Sequence, residues 1–397
     1  MFEKIREMSV ANKDEIVAFR RHFHMHPEIA WNEVETTKRV TEELKKLGCT
    51  IVRAGFGGTE CGVAADLKGA RPGKCVALRA DMDALPMDED NDLPYKSVFP
   101  GVMHACGHDA HTAMLLGAAK ILSEIRPKLS GTVRFLFQPA EESGLKSGAK
   151  AMVDEGALEG VDMVAGVHVW AQEPTGTVLY RSGPVMAAAD GWYLTIKGKG
   201  GHGSTPELAV DPTITAANIV LNLQAVVGRE VSAKETVVVS TGAVKAGETA
   251  FNIIPDTATM NGTVRSFSPA VQDHVESAIR RVIAGACQMG RCDFSLDYKR
   301  FIPATINDPA VTAEARKVFE AMAGTENVRE MGLIMGSEDF SYFQQKVPGT
   351  FFFLGSGNPA KGTDNAHHHP KFNVDEDALP LGTACLAGFA WSRLRGN

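Results

Sequence analysis

Between His104 and His111 the chain reads His-Ala-Cys-Gly-His-Asp-Ala-His, a run of imidazoles with a thiol and a carboxylate among them. Cys106 and His108, two residues apart, are borderline-soft ligand types of the kind that hold zinc or a similar divalent ion. A hydrophobic core has no use for such groups, because imidazoles and carboxylates are costly to bury without partners. A Cys-x-His pair alone reads as a polar loop, so the weight falls on what lies downstream. Glu141-Glu142 follows an apolar run, His168 ends another, and His367-His368-His369-Pro370 forms a second imidazole cluster near the end of the chain. Singly these are a solvated helix start, a core histidine and a polar loop. Together they supply a division of labour, in which one carboxylate binds an ion while its neighbour accepts a proton from water that the ion has acidified to a pKa of roughly 7.

Such groups must be delivered to one place by regular elements. Val34, Thr37, Val40, Leu44 and Leu47 recur at helical spacing, with Gly48 placed to end the helix. Apolar runs at Cys75–Leu78, Val133–Phe137 and Val161–Val167 alternate with helical patterns at Thr112–Ile125 and Gly148–Glu155. This order predicts a mainly parallel sheet covered by helices. The first run leads into Arg79-Ala-Asp81-Met-Asp83, the second into Glu141-Glu142 and the third into His168. In open α/β sheets ligands collect at the carboxyl ends of strands, which is where these side chains fall.

Residues 187–300 change rhythm. Strands are predicted at Trp192–Lys197, Val237–Val244, Thr257–Arg265 and Cys292–Tyr298, with helices opened by Asp211-Pro212 and Ser268-Pro269. The order is βαββαβ, the split unit of ferredoxin-like domains. It interrupts the first domain, since Asp308-Pro309 opens a further helix and Thr350–Leu354 is a buried strand. The expected division is therefore 1–186 with 301–397, and 187–300 as an inserted α+β domain. Gly198-Lys-Gly-Gly-His-Gly203 formally matches a dinucleotide loop, but no helix follows at once; a glycine loop that lets His202 approach substrate fits better. Arg265 in the insertion supplies the forked donor that holds a substrate carboxylate bidentately.

The 397 residues are 44% hydrophobic and 22% charged, as in ordinary globular proteins, and suggest two domains or three. A net charge of −7 without a basic cluster argues against nucleic acid and anionic membranes as partners. The charged N-terminal stretch is not a secretory signal, and no apolar run is long enough to span a bilayer. Seven scattered cysteines point to reduced thiols in a cytoplasm rather than a disulfide framework.

Ten segments carry a resemblance: RRHFHMHPE (20–28), RADMDALP (79–86), HACGHDAHTAM (104–114), QPAEE (138–142), GVHV (166–169), GKGGHGSTP (198–206), FNIIPD (251–256), GTVRSF (262–267), GSEDFSYF (336–343) and HHPKFNVDED (368–377). In this order they resemble the M20 metallopeptidases of subfamily D, which include hippurate hydrolases, N-acyl-amino-acid amidohydrolases and plant auxin-conjugate hydrolases. The resemblance implies a metallopeptidase domain with an inserted lid and dimerisation domain. It makes Cys106, His108, Glu142, His168 and His368 the ligands of two divalent ions, with His369 the alternative to His368. Zinc is the first choice, and manganese, cobalt and nickel suit similar ligand sets.

The resemblance further implies that Glu141 is the general base and acid, and that His202 serves the partner subunit's oxyanion in a homodimer or homotetramer. Asn252 and Arg265 become substrate-carboxylate contacts. Asp83 stands where other branches orient a metal-binding histidine, and Asp81 occupies that histidine's own position. The implied reaction is hydrolysis of a small N-acyl amino acid. Short peptides cut by the same chemistry are the runner-up. Two rival readings remain distinct in class: a cysteine hydrolase with Cys106 as nucleophile, and a binding protein without catalysis, for which Glu141 would have no task.

Overall fold

The computed structural model describes residues 1–248 and 250–396. The chain forms two units, Met1–Gly183 with Ile306–Gly332 and Asp339–Asn397, and Pro184–Thr305 with Leu333–Glu338. The short stretch 333–338 sits with the second unit, where the expected division had left it in the first. The backbone explains this, because Ala187 N–H donates to the carbonyls of Ile334 (3.1 Å) and Gly336 (3.0 Å).

The first unit is built on an eight-stranded sheet. Its order is Thr50–Ala54, Val63–Lys68, Ser130–Gln138, Arg71–Asp81, Met163–Pro174, Gly349–Gly357, Val178–Tyr180 and Val328–Glu330. The four middle strands are mutually parallel, and the neighbours on either side run antiparallel to them. The sheet is thus mixed: the predicted parallel character holds across its centre, and the edge strand Val328–Glu330 is again parallel to its neighbour Val178–Tyr180. Every residue of Gly349–Gly357 is buried, which is why this strand reads as unbroken phenylalanine rather than as an alternation. The helices His108–Glu124 and Leu379–Leu394 pack on each other and on the sheet. Most residues of both helices are buried, so each presents apolar side chains on more than one face.

The second unit has a four-stranded antiparallel sheet in the order Val238–Ala246, Thr257–Ser266, Ala188–Lys197, Asp293–Ile302. Pro212–Ala225 and Pro269–Gly290 pack on it around Trp192, Leu194, Ile196, Ile219, Leu223, Ile279 and Ile283. This is the βαββαβ order expected. Asp211 caps its helix by accepting from Thr213 N–H at 2.7 Å, and Asp308 caps the helix Pro309–Ala323 from Val311 N–H at 2.8 Å. No helix is long and apolar enough to cross a membrane among the described residues.

Candidate metal centre

Parallel strand ends bring the chemistry together in the first unit. The strand Arg71–Asp81 delivers Asp81 and, just beyond, Asp83; the strand Ser130–Gln138 delivers Glu141 and Glu142. His168 does not end its strand as expected, since Met163–Pro174 continues past it. It is nevertheless level with the end of the neighbouring strand, two residues beyond the Arg79–Gly166 pair. The helix expected from Thr112 begins at His108, one turn earlier. Gly107 makes that start possible. Its φ is +93°, and a Cβ there would lie 2.3 Å from Val169 Cγ2.

Three ligand groups overlap. One ring nitrogen of His168, one of His367 and Cys106 Sγ lie within 4.8 Å of one another, and so do the donor atoms of Cys106, Glu142 and His368. His108, Glu141 and Glu142 form a third such group. Cys106 Sγ is 3.5 Å from His168 Nε2, and His368 Nε2 is 3.0 Å from Glu142 Oε1. His369 takes no part; its Nδ1 accepts from Lys371 N–H at 3.0 Å. Of the two histidines left open by the sequence, His368 is the one turned toward Glu142.

Orientation comes from behind. Asp83 Oδ1 lies 3.2 Å from His108 Nδ1, its carbonyl lies 2.8 Å from the same nitrogen, and its Oδ2 accepts from Glu142 N–H at 2.9 Å. Asp83, counted with the catalytic candidates because it stands where other branches orient a metal-binding histidine, makes the contacts of a positioning residue, to the His108 ring and the Glu142 backbone. Asp81 accepts from Arg79 Nη1 at 2.7 Å and from His111 Nδ1 at 2.6 Å. His111 Nε2 accepts from Val169 N–H at 2.8 Å, and Val169 returns its carbonyl to His168 Nδ1 at 2.6 Å. Asp81 therefore acts on His168 through His111, a link that the spacing of residues 104–111 had not disclosed.

Electrostatics agree with a cation site. Burial, then Glu142 and Glu141, push the Cys106 thiol well above its usual range, so its proton leaves only when a cation takes its place. Burial holds His168 far below an ordinary histidine, leaving it neutral with a lone pair to give. Burial alone would lower His108 too, but Asp81 and Asp83 raise it to about 10, which marks a position that demands positive charge. Among the described residues its Nε2 is buried without a hydrogen-bond partner, with Asp81 Oδ2 3.7 Å away. A nitrogen so placed beside thiol, imidazole and carboxylate donors fits a resident divalent ion. Backbone strain marks the same place: Ala140, just before Glu141, has φ +51°, and His368 has φ +64°.

Sequence reasoning missed a second buried network. Arg20, fully enclosed, donates to Asp109 Oδ2 at 2.8 Å and to Asn373 Oδ1 at 2.7 Å. His24 Nδ1 lies 2.8 Å from Asp109 and its Nε2 3.1 Å from Glu89. With carboxylates on both nitrogens its pKa rises despite burial. The signal was the i, i+4 spacing of Arg20 and His24 on the helix Lys13–Met25.

The remaining candidates lie in the second unit. His202 is exposed and pairs with Ile253 in a two-stranded ribbon, and Asn252 accepts from Gly203 N–H at 2.8 Å. His202 Nδ1 accepts from Ser204 N–H at 3.1 Å and faces Ser204 Oγ at 2.7 Å. Arg265 lies on the strand Thr257–Ser266, half-buried, with Nη1 donating to Val264 O at 3.0 Å.

Comparison with known proteins fits this geometry. A 42% identical relative over 95% of this chain and 85% of its own is IAA-amino acid hydrolase ILR1-like 4 of Arabidopsis thaliana. Thermostable carboxypeptidase 1 of Saccharolobus solfataricus is 40% identical over 98% of this chain and 97% of its own. The solved structure of the Bacillus subtilis YXEP protein, described as a dinuclear metal binding peptidase from the M20 family, superposes with a TM-score of 0.82 at 35% identity, covering 96% of this chain and 97% of that one. The model of peptidase family M20/M25/M40 matches residues 77–392, and the chain belongs to that family.

Proposed function

We propose that the protein is a metal-dependent amidohydrolase that cleaves small N-acyl amino acids into a carboxylic acid and a free amino acid. The reading is supported above all by one observation: Cys106 shares one ligand group with His168 and another with Glu142 and His368, while Glu142 shares a third with His108 and Glu141, a carboxylate that a mere binding site would not need. Those five residues would hold two divalent ions, zinc first, with manganese, cobalt or nickel as alternatives. When bound, such ions polarise a carbonyl oxygen and lower the pKa of water to roughly 7.

The chain's own residues do the rest. Glu141 takes the proton from the attacking water and returns it to the leaving nitrogen, a contribution of about 10²–10⁴ in rate. Asp83 keeps His108 and Glu142 in register. With Nδ1 of His202 engaged by Ser204, its proton sits on Nε2, the form that donates to an oxyanion. In a homodimer or homotetramer that donor would serve the partner subunit's site, with Asn252 and Arg265 holding the substrate carboxylate and the 187–300 domain acting as lid. All seven cysteines are free thiols, which suits the cytoplasm. The likeness to a carboxypeptidase favours a second substrate class, short peptides.

The test is a panel of N-benzoyl, N-acetyl and N-lauroyl amino acids and dipeptides, run on metal-stripped protein reloaded with each ion. Turnover that returns only with metal, and fastest on an N-acyl amino acid, is expected. Turnover that resists chelators yet stops with a thiol reagent would instead make Cys106 a nucleophile.

A further inference from the structure

His367 has no part in the ligand set just assigned, yet it is built into the same place. One of its ring nitrogens lies within 4.8 Å of Cys106 Sγ and a nitrogen of His168. Its ring is wedged between Trp170, 4.9 Å away between centroids, and Phe372, 4.8 Å away. Within that apolar slot Nδ1 is buried and, among the described residues, meets no side-chain partner; the ring lies against the Cys106 backbone, and Nε2 faces the Ala171 N–H at 3.4 Å. A phenyl ring would fill the same slot, so an imidazole there places a donor atom beside Cys106 and His168 that packing alone does not call for.

The backbone supplies a second, independent observation. Successive side chains of an extended segment point to opposite sides. At His368 φ is +64°, a left-handed conformation that a residue with a Cβ rarely adopts. The turn breaks the alternation, and His368 N–H donates to the Ala105 carbonyl at 2.8 Å, tying it to the residue before Cys106. Two consecutive imidazoles thereby reach one site: His367 joins Cys106 and His168, and His368 joins Cys106 and Glu142.

We propose that His367 is a sixth metal-binding residue, completing an all-soft set of Cys106, His168 and His367 for one ion. Cys106, common to both groups, also serves the second ion with the carboxylate-containing set. The inference rests on the two-ion reading above and deepens it. The two positions differ in character: sulfur with two imidazoles favours zinc over manganese, whereas the Glu142 side accepts harder ions more readily.

The experiment uses the full chain stripped of metal. Zinc is titrated against a chromophoric chelator, and cobalt is followed by its thiolate charge-transfer and ligand-field bands. His367→Phe keeps an aromatic ring between Trp170 and Phe372 but removes both nitrogens; His367→Gln keeps polarity. Wild type is expected to bind two ions. Both variants should weaken one zinc affinity by about 10–100-fold, with the other little changed, an altered cobalt spectrum and an unchanged melting temperature of the metal-free protein. His369→Ala should leave both affinities as they were. Unchanged affinities and cobalt bands in His367→Phe overturn the assignment, as does an equal loss in His369→Ala, which would signal a disturbed loop. A wild type that binds fewer than two ions overturns the dinuclear reading itself, an outcome plainly different from either.

Discussion

In the first unit Arg20, His24, Arg79, Asp81, Asp109 and Asp339 are all enclosed, each against a partner of opposite charge, while the second unit packs Trp192, Leu194, Ile219, Leu223, Ile279 and Ile283 against one another. The polar feature of the second core is modest by comparison: Asp190 accepts from Gln272 at 2.7 Å and from Tyr298 at 2.8 Å. Buried ion pairs seldom stabilise more than hydrocarbon of the same volume would. Their concentration around residues 104–111 therefore reflects what an ion site needs, namely donor atoms that cannot swing. Arg79 extends the same logic, linking Asp81 to Gln138 at 2.8 Å and to Asp339 at 3.2 Å.

Several measurements would break or sharpen that contrast. The largest effect is expected from Glu141→Gln, which should lose about 10²–10⁴ in turnover while metal content and melting temperature stay as in wild type. Full metal with near-normal turnover would remove Glu141 from its assigned role. Next comes a matched pair. Arg20→Ala strands Asp109 without its counter-charge and should cost about 3–5 kcal/mol in urea unfolding. Trp192→Ala empties the second core and should cost about 3–5 kcal/mol for a different reason, a cavity. Only the first should also weaken metal binding, because Asp109 adjoins His108; equal effects on metal from both would erase the distinction.

Acid should separate the units further. Burial alone would raise the Asp109 pKa, but Arg20 and His24 hold it well below the carboxylate range. A carboxyl depressed in the folded state stabilises above its unfolded pKa and loses that contribution as pH falls below it. Asp190 is raised, chiefly by burial, so its contribution is complete at low pH and declines as pH climbs through its folded value. Segment-resolved hydrogen exchange from pH 7 down to about 3 should therefore show His108–Glu124 losing protection before Ala188–Lys197. The reverse order would contradict the assignment. The smallest change is Tyr298→Phe, worth about 1 kcal/mol of stability and nothing in metal affinity.

Much of this was readable in the chain because it depends on short-range chemistry. The caps at Asp211 and Asp308, the alternating strand and helix runs, and the run of ligand types from His104 to His111 are each local in sequence. For Arg20 the chain offered only the i, i+4 spacing with His24, since its partners Asp109, Asn373 and Glu376 are remote in sequence and meet only through packing. The same holds for His111, whose task is defined by Val169 on another strand. The start of the helix at His108 was hidden for a related reason: residues 104–111 are so polar that their periodicity reveals nothing, though their surroundings are a core.

The tight seat of Gly107 restricts what this loop can become. With Val169 pressed against the space a side chain would need, the position between sulfur and imidazole offers chemistry no room to vary. Random replacement at 107 would return glycine almost alone, and the bite of the Cys106–His108 pair is accordingly a fixed quantity. Under the two-ion reading proposed here, ion preference would be tuned at the other, looser end, around the half-exposed His368.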